Sequence, residues 1–182
     1  MANDKNLKLL QWIFFCSLAL TIIYIVSSRQ LLQPLTTDEI IAFEKAKTID
    51  RATDIMIDWS MNNKLEKAAL SIQLDYLFIL LYAVCIFSGC RYLAGLTKTE
   101  ALIKSSNVFS YLIIFAAVFD IIENLCMQHT LGGKLSKGVI SLAYNMASAK
   151  FFLVGICLLA IAIYFLALLW NKFFVSRKSQ QA

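Results

Sequence analysis

Long apolar runs alternate with polar connections along this chain, and the runs set its architecture. Four of them, residues 9–26, 70–87, 108–127 and 139–170, contain only four charged residues between them. Each of the first three approaches the ~20 residues that cross a hydrocarbon core, and the fourth is longer, so it must tilt or protrude. The one proline, Pro34, falls outside all four, so no proline kink is expected in them. This pattern predicts an all-α membrane protein with four transmembrane helices in a bundle. The spans are placed at about 9–27, 69–91, 107–128 and 139–171. Residues 1–182 then form a single membrane domain.

The first connection, residues 29–67, is polar yet patterned. Thr36 with Glu39 three residues on makes a capping box. From Ile40 to Trp59 the apolar positions recur at a helical period. An amphipathic helix with an aromatic end is expected, lying on the outer membrane surface or capping the bundle. It is either a plain connector or a lid with a gating role. Asn62 and Asn63 end it, and Gly132 and Gly133 mark a second turn. The basic N-terminal residues before the first run imitate a signal peptide, but the run exceeds a typical apolar core of one and is read as a retained helix.

Composition agrees with the runs: 182 residues are 59% hydrophobic, with a mean hydropathy of +0.68. The net charge of +5 does not point to nucleic acid, because the cations sit at the ends of the runs. Lys5, Lys8, Arg91, Lys98, Lys104, Lys172, Arg177 and Lys178 face only Asp4 and Glu100 on one side, a balance of +6. On the other side the first loop has six cations against seven acids, a balance of −1, and Lys134 and Lys137 follow in the third loop. Raw cation counts are equal at eight a side, but long loops weigh less, so both termini are expected inside. Trp12, Trp59 and Trp170 are read as interface anchors. The five cysteines form no CxxC pair and are read as packing residues.

The chemistry lies in the charges inside the runs. Asp120, Glu123 and Asn124 are three and four residues apart, so they share one helix face. An ionised side chain near a bilayer centre costs ~2.5 kcal/mol or more, so partners are required. Asp75, with Tyr82 on the same face of the second run, and Lys150 in the fourth occur at similar depth in the outer half. Ala143 and Ala147, on the lysine face, would admit a close neighbour. Tyr144, Asn145, Ser148 and Trp59 are secondary candidates for the same site. Three carboxylates against one ammonium leave two uncompensated negative charges. Either one or two carboxyl groups are protonated at neutral pH, or a cation enters.

Oxygen ligands without histidine would suit a hard cation, yet Lys150 already competes for that place, so no metal and no cofactor is expected. His129 is read as interfacial. No Ser-His-Asp set, phosphate loop or HExxH motif is present.

The order Phe43-Glu44 with Ala46, Trp59, Leu74-Asp75-Tyr76 with Phe78 and Tyr82, Asp120-x-x-Glu123-Asn124 and Lys150-Phe151 resembles an uncharacterised group of bacterial four-span inner-membrane proteins. The resemblance implies a bacterial inner (plasma) membrane setting and the four-helix plan, and it implies no activity. The charges themselves suggest a pocket for a lipid-like or cationic amphiphile, with Asp120 and Glu123 as receptors, Lys150 as their partner and Asp75 and Tyr82 as the opposing wall. Acid/base processing of that ligand would be a second step, so whether the protein is an enzyme stays open. The alternatives are a proton- or cation-coupled transporter acting as a homodimer and a structural protein with a buried charge lock. Membrane lipids are the expected partners.

Overall fold

The computed structural model describes residues 4–172, so the expected basic tail with Arg177 and Lys178 lies outside the described residues. Six helices follow in order: α1 (Asp4–Leu32), α2 (Thr37–Glu44), α3 (Ile49–Met61), α4 (Leu65–Thr97), α5 (Glu100–Leu131) and α6 (Lys137–Trp170). There is no strand among the described residues. Among the described residues, α1, α4, α5 and α6 are the four helices long and apolar enough to cross a membrane. Each extends past its apolar run into the flanking polar residues, because the backbone ladder continues until a residue breaks it. Lys98 does so after α4 at φ 56°, as Asn63 does after the short α3 at φ 55°, and Gly133 does so after α5 at φ 80°, where a side chain would be strained.

The first connection corrects the expectation of one amphipathic helix, since it is broken into two. The capping box at Thr36 and Glu39 forms as expected and starts α2. A second cap, Thr48 accepting from the Arg51 amide, then starts α3. The break turns both apolar faces inward: Phe43, Ala46, Ala52, Ile55 and Trp59 pack with Ala68, Ile72, Met127 and Ile140 over one end of the long helices. The connection therefore caps the bundle. Trp59 belongs to this core, only 2% exposed and 5.0 Å from the Phe43 ring. That differs from its reading as an interface anchor, whereas Trp12 and Trp170 are exposed. Lys64 binds Glu39 at 2.7 Å and Lys67 donates to the Leu31 carbonyl, tying the ends of the connection to its neighbours. Burial raises the Glu39 carboxyl, but the Lys64 ammonium and the Thr36 bonds outweigh it and hold the group below the ordinary glutamate value.

The long helices are not equivalent. α4 is central and touches α1, α5 and α6, and α5 packs along α6. Ala143 and Ala147 are buried on that side of α6, where small residues allow close approach. By contrast α1 leans on α4 and makes at most marginal contact with α6; only Ser17 and Leu32 of its side chains are buried. Its seat is Gly89, where an added Cβ would lie 2.7 Å and 2.9 Å from Phe14 ring atoms. Phe14 itself packs at a tilt against the Phe15 and Tyr92 rings and has little room to withdraw. Gly89→Ala is expected to cost ~1–3 kcal/mol. Denaturant titration of the protein in detergent checks this, and an unchanged midpoint would mean that α1 seats elsewhere.

A candidate ligand site between two apolar clusters

Two apolar clusters fill the bundle, one under the α2–α3 cap and one around Ile79, Ile113, Cys157 and Tyr164 of α4, α5 and α6. A polar layer separates them. On α5 the helical period puts Asp120, Glu123 and Asn124 together on the face turned towards α4 and α6, and all three are buried. α6 supplies Lys150, whose Nζ lies 2.6 Å from Asp120 Oδ1 and 2.8 Å from Glu123 Oε2. The first contact is a hydrogen bond; the second is an ion pair without hydrogen-bond alignment, so both Glu123 oxygens lack a hydrogen-bond donor. From α4, the Tyr82 hydroxyl donates to Asp120 Oδ2 at 2.9 Å. Asn124 Nδ2 donates to Asp75 Oδ2 at 2.8 Å. Of the six residues expected at the site, Tyr82, Asp120, Lys150 and Glu123 are thus joined in one network, and Asp75 with Asn124 forms a separate pair.

Sequence reasoning missed its fourth acid. Glu44, the last residue of α2, is 8% exposed, and its Oε2 is 3.6 Å from Lys150 Nζ. An acid at a helix C-terminus is opposed by the helix dipole, so this position is held by tertiary contact. Burial raises the Glu44 carboxyl, an effect that Lys150 only partly offsets and that the neighbouring Asp120 reinforces. The Phe43-Glu44 pair was visible in the chain, but among the many charges of the first connection Glu44 looked like one more solvated residue.

A cavity of about 350 Å³ opens beside the network. Its walls are Tyr24, Ile25 and Ser28 of α1 and Phe151 and Val154 of α6; its floor is Asp75, Phe78, Tyr82, Asp120 and Asn124; and α2 covers one end with Thr37, Ile40, Ile41 and Glu44. Because α1 and α6 both pack on α4 and scarcely on each other, the cavity is a lateral cleft between them. Ile25 and Phe151, 36% and 42% exposed, form its lips. Aromatic contacts tie wall to floor: the Tyr24 ring stacks on Phe78, and the Phe78 ring meets Tyr82 at a tilt of 59°, each pair 5.4 Å apart.

Of the expected site residues, Asp75, Tyr82, Asp120, Asn124 and Lys150 line this cleft, while Glu123 stands behind Lys150 and does not. The secondary candidates also lie elsewhere. Asn145 and Ser148 are exposed on α6, Ser148 bonding back to the Tyr144 carbonyl. Tyr144 lies beneath the Lys47 ammonium, and Trp59 is in the cap. His129 is exposed in the last turn of α5. Among the described residues no His, Cys, Asp and Glu group has the arrangement of a metal site.

Four carboxyl groups now face one ammonium, so full ionisation would leave three negative charges uncompensated. Lys150 is committed to Asp120 and Glu123. Asp75, held by a neutral amide, and Glu44, at the edge of reach of Lys150, are the acids that the fold leaves least compensated. No protein-family model, no curated protein and no solved structure matches the chain.

Proposed function

We propose that the chain is a multi-pass membrane protein that binds a lipid-like amphiphile with a cationic head in the cleft between α1 and α6. In this reading the α2–α3 cap lies on the outer side of a bacterial inner membrane and both termini are cytoplasmic, following the loop charges. The lips then face acyl chains, so a ligand enters sideways from the bilayer. The observation that carries the reading is a cleft with apolar walls and two acids that Lys150 leaves under-compensated: Asp75, which it does not pair with, and Glu44, which it reaches only at 3.6 Å. Its volume falls within the range of small-molecule sites, enough for a headgroup and the first methylenes while the tail stays in lipid. The receptor role thus moves from Asp120 and Glu123 to Asp75 and Glu44.

A second reading has its own support. The Asp120–Lys150–Glu123 triad is buried and its ammonium lies within ion-pair distance of both acids, which suits a lock joining α5 to α6, and in this proposal the lock fixes the floor on which Asp75 stands.

Binding of a long-chain alkylamine and of the matching neutral alcohol to protein in nanodiscs tests the proposal. The amine is expected to bind more tightly, and Asp75→Asn should weaken it by about 10- to 100-fold, the worth of one charge-assisted hydrogen bond. Affinity should also fall as pH falls: a proton taken up by the raised Glu44 carboxyl removes a negative charge from the site. Equal binding of amine and alcohol, or indifference to Asp75→Asn, would refute the reading.

A further inference from the structure

The unmatched groups in the cleft are of one kind. Glu44 Oε2, which Lys150 Nζ approaches only to 3.6 Å, and Asn124 Oδ1 are buried without a hydrogen-bond partner, on residues 8% and 0% exposed, and both residues line the cavity. Both atoms are acceptors, and buried acceptors left unpaired are costly. A group that satisfies them together with Asp75 must bring several N–H donors. A primary ammonium has three, whereas a quaternary ammonium has none to offer.

The mouth carries the opposite sign. Arg29, in the last turn of α1, is exposed, lines the cavity beside Ser28 and Thr37, and forms no ion pair among the described residues. It is not needed to finish its helix, because Lys67 donates to the Leu31 carbonyl at 2.7 Å. On the other lip the Lys45 ammonium sits 5.3 Å from the centre of the Phe151 ring. Arg29 at one lip, Lys45 against the outside of the other, two hydroxyls and, within, the acids Asp75, Glu44 and Asp120 against the one Lys150 ammonium form a site that is positive outside and negative inside. A guanidinium is suited to phosphate by its fork of donors.

Building on the cationic-amphiphile reading, we propose that the ligand is a phospholipid of the ethanolamine class, its phosphate at Arg29 in the mouth and its primary amine at Asp75, Glu44 and Asn124. The lateral opening admits the two acyl chains that a cavity of about 350 Å³ does not enclose.

Native mass spectrometry of the purified full chain, equilibrated with each probe, tests this. The probes are phosphatidylethanolamine, phosphatidylcholine, a long-chain alkylamine and soluble glycerophosphoethanolamine. Phosphatidylethanolamine should be retained about tenfold better than phosphatidylcholine, the worth of roughly one charge-assisted hydrogen bond. Arg29→Gln should remove the advantage of phosphatidylethanolamine over the alkylamine, and Asp75→Asn should weaken both. Arg29 is exposed, so its variant is expected to keep the fold, which an unchanged elution profile verifies. Equal retention of the ethanolamine and choline lipids overturns the proposal, as does indifference to Arg29→Gln. Competition by the soluble headgroup at the lipid's own concentration overturns the lipid assignment. Should the alkylamine bind and the phosphate add nothing, this inference fails alone; should no amine bind at all, the function proposed above fails with it.

Discussion

Lys150→Met is expected to destabilise the protein by ~3–5 kcal/mol, the cost of removing one partner from a buried ion pair. The ammonium is the counter-charge for Asp120 at 2.6 Å and Glu123 at 2.8 Å, and it reaches Glu44 at 3.6 Å. Without it the layer between the two apolar clusters contains only acids, Asn124 and the Tyr82 hydroxyl. Neutralising the partners as well, with Asp120→Asn and Glu123→Gln, should return most of the loss, because replacing a whole buried charge set is often neutral or better. The deficit of the single variant should also shrink as pH falls, since protons replace the missing cation. Denaturant titration in detergent reads all three results, as midpoint shifts at constant slope. A single variant as stable as the parent would show that the triad is not held as a unit away from water.

Trp59→Ala is the second large effect, ~3–5 kcal/mol for the loss of a fully buried aromatic ring. Trp59 is the largest side chain of the cap core, packed on Phe43. Its carbonyl accepts from the Lys64 amide at 2.7 Å, which anchors the turn into α4. Since α2 and α3 touch the long helices over a small area, the loss should fall on the cap first, as a local opening. Hydrogen exchange would then speed up in α2 and α3 while α4 to α6 keep their protection. Glu44 should withdraw with the cap, so alkylamine binding should weaken in the same variant. Uniform loss of protection along the chain would mean that the cap and the bundle unfold together.

The site was legible where its information is local. Asp120, Glu123 and Asn124 at spacings of three and four fix a common face, and a lone Lys150 in an apolar run advertises a counter-charge. Thr36 and Glu39 gave the start of α2 for the same reason, since a capping box is complete within four residues. Thr48 is equally local, but a helical period running from Ile40 to Trp59 masked it, and one helix was expected where two formed. Glu44 had no local mark at all: what distinguishes it from Asp38 or Asp50 is burial against α6, about a hundred residues away.

The sequence by itself determined that there are four long apolar helices, where they lie, and that their few charges share one depth, because the 3.6-residue period and run length act within each segment. Only the tertiary structure decided which acids Lys150 neutralises and that Glu44 joins them. It also decided that α1 stands apart from α6, leaving a lateral cleft. Those outcomes depend on how helices distant in the chain pack, on one glycine that seats Phe14 and one break that turns the cap inward. Such contacts leave no periodic trace in the residues that make them.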